Sequence, residues 1–308
     1  MNGTLRFVIA GDGLAAWMAA DALAATLGPT AAAISVVPAP GDDSGELDAT
    51  TPGAANLHPV LDIDQAYLIA NDALAFSFGV AFDGWAENDQ VCFQPFGTTG
   101  APIGAASFHQ ALLGLRHRNM PARLADSSIA ALGAQAGRFA KPPRDQRSVL
   151  SSARYGLHLD PVVLRRHVMA SACARNVART DGQLQSVELT EDGAVQAVVT
   201  DKGERVNGDL YIDCTGDAGR LINALGENRW LDWASWLPCD RVAIARSSTG
   251  SAPVPYSQST AHACGWLRTL PVFESGELRL TYQAGLLSDD QAATQLAKRS
   301  GQHCTPHI

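Results

Sequence analysis

LRFVIAGDGLAAW, residues 5–17, joins a short apolar run to a glycine turn and then to residues that favour a helix. The helical pattern stops at Gly28-Pro29, and a second apolar run with β-branched members occupies residues 31–37. Strand, turn, helix and strand in this order form a βαβ unit, whose two parallel strands are joined by a right-handed crossover. We therefore predict an α/β fold that begins with a Rossmann-type parallel sheet.

The turn GDGLAA, residues 11–16, matches the GxGxxA form of the dinucleotide-binding turn. Glycine is needed because the backbone turns sharply and approaches a pyrophosphate, while the helix offers unpaired N–H groups and its positive end. The acidic residue that usually binds ribose hydroxyls after the second strand is replaced by PAP at 38–40, and Asp42 and Asp43 lie past the expected strand end. The predicted cofactor-binding residues are Gly11, Gly13, Leu14, Ala15 and Ala16.

Composition excludes several classes of function. The 308 residues are 46% hydrophobic and carry a net charge of -8, so the chain can bury a sizeable core but lacks the basic clusters of a nucleic-acid-binding protein. Apolar runs are too short to cross a bilayer and the N-terminus does not resemble a secretory signal, so we expect a cytoplasmic protein without membrane contacts. The six cysteines form no CxxC, and neither a metal site nor a disulfide framework is expected.

The rest of the chain predicts further helices and strands. We expect helices over 64–78, 107–115, 161–177 and 288–297, strands over 183–190, 194–200 and 209–213, and short strands and loops over 240–286. The strand at 209–213 ends in a polar turn at Gly216. Because such a strand returns to the sheet beside the cofactor in many flavoproteins, Gly216 is a candidate FAD contact; the alternative is an ordinary strand and turn.

Five collinear blocks resemble the flavin-dependent tryptophan halogenase family. They are GDGLAAWMAA (11–20), YGLHLD (155–160), YIDCTGDAG (211–219), WLPCDR (236–241) and PYSQSTAHACGW (255–266). The resemblance runs from Phe7 to about Leu296 and implies one FAD-binding domain of the flavoprotein monooxygenase kind with an associated β-rich substrate region. On this basis the nucleotide-binding parts are expected at about 1–60 and 155–225 and the substrate-side parts at about 61–154 and 226–308, with the family's C-terminal helical part missing.

The resemblance also implies a chemistry. Members use FAD that a separate flavin reductase supplies in reduced form, and they make hypohalous acid that reaches a lysine beside an indole-type aromatic substrate, assisted by a glutamate. Ala49 and Thr50 belong to LDATTP (47–52), which corresponds to the family's GEATxP loop along the flavin. Trp85 and Trp266 are candidate substrate contacts, with core packing as the alternative role.

Three departures bear on activity. The family form FKxGxxFxxW is here FSFGVAFDGW (76–85), so Ser77 takes the place of the lysine, and a neutral hydroxyl cannot act as an ammonium donor. The form WxWxIP is here WLRTLP (266–271), with Arg268 at the second Trp. Residues 272–308 contain no motif that replaces the family's glutamate segment. We therefore expect that no catalytic residue of the family is retained.

The sequence is compatible with three functions. The first is a halogenase-like flavoprotein with impaired halogenation. The second is an FAD-dependent monooxygenase or oxidase that works without a lysine. The third is a non-catalytic flavin-binding or regulatory remnant, or an incomplete gene product.

Overall fold

The computed structural model describes residues 3–40, 46–53, 63–86, 91–120, 122–226, 231–248, 253–272 and 275–300, so that Asp42 and Asp43 lie outside the described residues. The chain divides into two compact units. The first comprises residues 1–45, 56–65 and 161–232, and the second comprises residues 46–55, 66–160 and 233–308.

The strands and helices follow one another along the whole chain. In chain order the strands are β1 (Leu5–Ala10), β2 (Ala32–Val37), β3 (Asp48–Ala49), β4 (Leu74–Ser77), β5 (Gly79–Asp83), β6 (Cys92–Pro95), β7 (Gly156–Leu159), β8 (Ala178–Arg179), β9 (Leu184–Leu189), β10 (Val195–Thr200), β11 (Arg205–Asn207), β12 (Leu210–Asp213), β13 (Arg241–Ser248), β14 (Ser257–His262), β15 (Gly265–Pro271) and β16 (Ser275–Tyr282). The α-helices are α1 (Leu14–Leu27), α2 (Gln65–Ala70), α3 (Phe108–His117), α4 (Ile129–Gln135), α5 (Pro161–Ala174), α6 (Arg220–Ala224) and α7 (Asp289–Ser300). Short 3-10 helices occupy Leu124–Ser127, Val149–Ser152 and Gly216–Ala218.

The first unit is built on a parallel sheet with the strand order β12-β1-β2-β8. Ala10 lies opposite both Val37 and Asp213, so the carboxyl ends of β1, β2 and β12 share one edge of the sheet. An antiparallel sheet of order β11-β10-β9 belongs to the same unit, and Val8, Leu184 and Val198 share a core cluster. The predicted α/β fold with an initial parallel sheet is confirmed.

The second unit is rich in β-structure. Its six-stranded sheet has the order β13-β16-β15-β14-β5-β6, in which only β14 and β5 run parallel among the described pairs. A smaller antiparallel sheet has the order β3-β7-β4. On one face of the large sheet, Leu267, Leu280 and Tyr282 pack with Leu296 of α7 in a buried cluster.

One predicted helix is wrong over half of its length. The helix expected over 64–78 ends at Ala70, and residues 74–77 form β4, which pairs with β7. Asp72 has φ +52°, a left-handed conformation that Asn and Asp tolerate and that stops a helix. The chain then becomes extended because residues 74–77 pair with β7, and Leu74 and Ala75 are buried in this sheet.

The other predicted elements agree with the structure within a few residues. The helix predicted over 161–177 is α5, the strands predicted over 183–190, 194–200 and 209–213 are β9, β10 and β12, and the helix predicted over 107–115 is α3. Ser288 and Gln291 form reciprocal hydrogen bonds before α7, so the last helix begins with a capping box. The region 240–286 holds strands of 6 to 8 residues, which are longer than the short strands expected there. In the part of the chain that the structure describes, no helix is both long and apolar enough to span a membrane.

Candidate cofactor and substrate sites

The glycine turn of the first unit lies where β1 gives way to α1. Gly11 has φ +129°, and its N–H donates to the carbonyl oxygen of Val37 at 2.8 Å. Residues with a Cβ rarely adopt this φ, so the turn requires glycine. Gly13 precedes α1, and the first turn of α1 contains no acidic residue. The N-terminal amides of α1 and the positive end of its dipole therefore suit a phosphate, and the turn fits a dinucleotide pyrophosphate.

The predicted contacts on α1 differ in their exposure. Leu14 is half-buried and Ala15 is exposed, so both offer backbone and surface near the turn. Ala16 is fully buried and belongs to the packed face of α1 together with Trp17. A small residue at position 16 therefore serves the close packing of helix on sheet.

Asp12, inside the same turn, is neutralised by two arginines. Its Oδ2 accepts from the Nη2 atoms of Arg165 and Arg179 at 2.8 Å each, and its Oδ1 accepts from the indole Nε1 of Trp17 at 2.9 Å. The Nε of Arg165 also donates to the Asp12 carbonyl oxygen. Burial would raise the pKa of Asp12, but the hydrogen bonds from Arg179 and Trp17 and the two positive charges outweigh it and lower the pKa. The turn consequently combines one anion with two cations, which removes the repulsion that a lone carboxylate would exert on a phosphate.

The structure brings Gly216 to the same edge of the sheet as Gly11. The N–H of Cys214 donates to the carbonyl oxygen of Ala10 at 2.8 Å, which extends the pairing of β12 with β1 up to the turn. Gly216 has φ +59°, again a conformation that favours glycine. Both glycine turns therefore lie beyond the carboxyl ends of adjacent parallel strands, where ligands of open α/β sheets bind.

Asp213 fixes the Gly216 turn. Its Oδ1 accepts from the N–H and the hydroxyl of Thr215 at 3.1 and 2.7 Å, and its Oδ2 accepts from the N–H groups of Leu221 and Ile222 at 2.8 and 3.0 Å. Although burial would raise the pKa of Asp213, the hydrogen bonds from Thr215, Ile222 and Leu221 lower it. The carboxylate is thus committed to holding α6 against the strand end.

Ser77 in the second unit is buried and locally bonded. Only 3% of the residue is exposed, and its hydroxyl donates to the carbonyl oxygen of Gly79 at 3.0 Å. A Cβ on Gly79 would lie 2.2 Å from the backbone oxygen of Gln94, so β5 and β6 approach each other closely beside Ser77. The hydroxyl therefore stabilises the bend between β4 and β5.

Ala49 and Thr50 lie on the small sheet of the second unit. Ala49 pairs with His158, while Thr50 exchanges two bonds with Leu157: its N–H donates to the Leu157 carbonyl at 2.8 Å, and its Oγ1 accepts from the Leu157 N–H at 2.9 Å. Thr50 thus has a structural role in this unit. These two residues belong to a different unit from the glycine turns.

A buried ion cluster holds the residues just before Ala49. The carboxylate of Glu277 is fully buried and accepts from the N–H of Leu47 at 2.8 Å and from Arg279 at 2.8 Å. Arg279 also donates to the Leu47 carbonyl and pairs with Glu46 at 3.0 Å. A carboxylate and a guanidinium from β16 thereby clamp the segment that leads into β3.

Trp85 and Trp266 come together on the second unit, as part of an aromatic surface at the large sheet. Their ring centroids are 6.4 Å apart with planes at 51°, and the Nε1 of Trp85 donates to the carbonyl oxygen of Ser259 at 3.0 Å. Trp85 is 52% exposed and Trp266 is half-buried. Neither indole is fully buried, so part of each ring is accessible on the surface of this unit.

Sequence reasoning did not identify Arg165 and Arg179 as neighbours of the glycine turn, because 153 and 167 residues separate them from Asp12. The one available clue was the carboxylate itself, since a negative charge in a phosphate-binding turn needs compensation. Within the described ranges, no group of three or more His, Cys, Asp or Glu residues is arranged to hold a metal ion.

Comparison with known proteins identifies relatives of this chain. The family model for tryptophan halogenase matches residues 6–306. The 7-chloro-L-tryptophan 6-halogenase KtzR of Kutzneria sp. (strain 744) is 24% identical over 318 residues, which cover 96% of this chain and 61% of that protein. The solved structure of BrvH, a flavin-dependent halogenase from Brevundimonas sp. BAL3, superimposes with a TM-score of 0.90 at 31% identity and covers 99% of this chain and 62% of that one. For Xcc4156, a flavin-dependent halogenase from Xanthomonas campestris, the TM-score is 0.88 at 30% identity, with coverage of 99% and 61%. The chain spans about three fifths of the length of these relatives.

Proposed function

The chain belongs to the tryptophan halogenase family, and from this membership we propose that it binds FAD at the glycine turn of its first unit and does not halogenate by the family's lysine route. The single observation that carries the second part is the burial of Ser77 at the lysine position.

Binding of FAD is supported by the geometry of the first unit. Gly11 and Gly216 lie at one edge of the parallel sheet, and the amides at the start of α1 face the space beyond β1. In this proposal Leu14 and Ala15 contribute backbone N–H groups to the pyrophosphate, and the arginines on Asp12 keep the turn from repelling it. FAD, when bound, supplies the redox chemistry, taking up electrons and passing them to oxygen.

The lysine route is disfavoured by the surroundings of Ser77. A hydroxyl that donates to the Gly79 carbonyl and is 3% exposed has neither the charge nor the access to donate to an oxidant. Trp85 and Trp266 remain as the aromatic surface, and we propose that they contact an indole-type small molecule. A flavin reductase is the proposed transient partner that keeps FAD reduced.

The test uses the purified chain with FAD, a flavin reductase with its nicotinamide donor, halide, oxygen and a panel of indoles, with BrvH as the positive control. We expect a shift of the flavin absorption spectrum on binding and no halogenated product above the enzyme-free control. Robust halogenated product would overturn the proposal about Ser77, whereas an unshifted flavin spectrum at high protein concentration would overturn the proposal about FAD.

A monooxygenase is the second candidate, favoured by the combination of a neutral Ser77 with an exposed Trp85. It predicts hydroxylated indoles that depend on oxygen and reduced FAD but not on halide. The same reactions are run without halide and analysed by mass spectrometry for hydroxylated indoles. If no hydroxylated product is found, the monooxygenase candidate is contradicted.

A further inference from the structure

Arg268, which has no hydrogen bond or ion pair among the described residues, lies on the same strand as one of the two indoles of the second unit. Arg268 and Trp266 are two residues apart on β15, so their side chains project from the same face of the sheet. Arg268 also lies opposite Ser259, whose carbonyl oxygen accepts the hydrogen bond from Trp85. We call Trp85, Trp266 and Arg268 the indole–arginine surface.

The positive charge of Arg268 is not paired with a carboxylate among the described residues. Arg268 is half-buried and makes neither a hydrogen bond nor an ion pair with any residue that the structure describes. Its cross-strand neighbour is Arg279, another cation. Burial first and Arg279 second lower the pKa of Arg268, while Asp48 and Glu277 act on it from a distance and raise it.

The acids near Arg268 are engaged or exposed. Glu277 accepts from Leu47 and Arg279, and Glu46 pairs with Arg279, so both carboxylates are held by other groups. Asp48 is exposed on β3 and, within the described structure, makes no hydrogen bond to the guanidinium. Burial removes part of the hydration of this guanidinium, and no hydrogen bond or ion pair within the described ranges compensates for the loss. Binding of an anion to the guanidinium is therefore favourable.

We propose that the indole–arginine surface binds aromatic carboxylates, with the ring against Trp85 and Trp266 and the carboxylate on Arg268. The planar guanidinium matches a planar carboxylate through two parallel hydrogen bonds, and indoles offer faces and edges to a second aromatic ring. Arg279 is already bound to two carboxylates, so among the described residues Arg268 is the free cation of this surface, and a single cation suits a monocarboxylate better than a multiply charged phosphate. Aromatic carboxylates would be the substrate class of the proposed function. Only their chemical conversion rests on that function, and their binding does not.

The test measures binding without flavin, so its outcome is independent of whether the chain binds FAD or halogenates. Isothermal titration calorimetry compares indole-3-acetate with indole-3-acetamide, which has the same shape but no charge. We expect the carboxylate to bind about tenfold more tightly to the unchanged protein, the amount typical of one charge-assisted hydrogen-bonded pair. Inorganic phosphate, titrated alone, is expected to bind more weakly than indole-3-acetate.

Variants test whether Arg268 causes the preference for indole-3-acetate over indole-3-acetamide. Arg268→Gln is expected to bind both ligands equally, and Arg268→Lys is expected to keep part of the preference. Arg241→Gln is the matched control, because it removes the same charge from an exposed position on β13 of the same sheet. Thermal melts confirm that each variant is folded. Equal affinity for the two ligands in the unchanged protein, failure of indole-3-acetate to bind, or a preference that survives in Arg268→Gln overturns the proposal.

Discussion

The Nδ1 atom of His158 lies 2.8 Å from the carbonyl oxygen of Pro271, and this contact joins β7 to the end of β15 inside the second unit. The geometry assigns the proton to Nδ1, because only a donor can bind a carbonyl oxygen. The other ring nitrogen, Nε2, is buried and has no hydrogen-bond partner among the described residues. His158 is therefore a neutral imidazole in the folded protein.

Because His158 is buried as a neutral imidazole, we expect the free energy of unfolding to decrease in mild acid. Burial is the main cause that lowers the pKa of His158 from the usual 6.5 to about 4. The positive charge of Arg268 also lowers this pKa, while the hydrogen bond to Pro271 raises it. Between these values the unfolded chain binds a proton that the folded chain does not, so the free energy of unfolding falls as the pH is lowered from 6.5 to 4. The contribution of His158 is at most about 3 kcal/mol.

Urea unfolding at several values between pH 7 and pH 4 measures this effect. The His158→Asn variant keeps a donor for the Pro271 carbonyl but cannot titrate, so its stability should fall less steeply over the same range. Identical slopes for the two proteins would show that His158 does not carry the dependence.

Ser77→Lys is expected to destabilise the second unit. An ammonium at a position that is 3% exposed would meet the Gly79 carbonyl but, among the described contacts of Ser77, no carboxylate. An unpaired buried charge costs about 3 kcal/mol or more. Ser77→Ala, which loses only the hydroxyl bond, should cost about 1 kcal/mol. Thermal or urea melts compare the two variants, and a Lys variant as stable as the Ala variant would contradict the expected cost.

Ala15→Glu is expected to weaken FAD binding without weakening the fold. The new carboxylate would stand in the first turn of α1, where it interacts favourably with the helix dipole but repels a pyrophosphate. Flavin titration should show an increase in the dissociation constant of about tenfold, while the melting temperature stays level or rises. The matched control is Ala25→Glu, also exposed on α1 but near the other end of the helix. If both variants bind flavin as the unchanged chain does, the pyrophosphate does not lie at this turn.

The two arginines on Asp12 should differ in their contribution to stability. The side chain of Arg165 is 21% exposed and that of Arg179 is 43% exposed, while both reach the same Oδ2. Solvent screens the more exposed pair, so Arg179→Gln should cost under about 1 kcal/mol and Arg165→Gln about 2 kcal/mol. Chemical denaturation of the two single variants and the double variant checks the order. A larger loss for Arg179→Gln would reverse the assignment.

Local chemistry made the first strand, its turn and α1 predictable from sequence, because apolar runs and a glycine turn act within a few residues. The second half of the helix predicted over 64–78 was wrong because β4 gains its hydrogen bonds from β7, about 80 residues later along the chain. Likewise, neither the pairing of Asp12 with Arg165 nor the position of Arg268 opposite Arg279 follows from spacing. Such contacts depend on which strands become neighbours, and a single sequence specifies that only through the whole fold.

Two glycine substitutions test how closely β5 and β6 approach each other beside Ser77. Gly79→Ala would place a Cβ 2.2 Å from the Gln94 carbonyl oxygen, and that oxygen cannot move away without breaking the pairing of β5 with β6. Overpacking against backbone is costly, so we expect a loss of about 3 kcal/mol. Gly114→Ala, in the exposed middle of α3, meets nothing within 4 Å and should stabilise the protein by up to about 1 kcal/mol. Because the two variants add the same methyl group, opposite changes in the urea midpoint separate steric clash from helix propensity, and a neutral Gly79→Ala would mean that β5 and β6 can move apart beside Ser77.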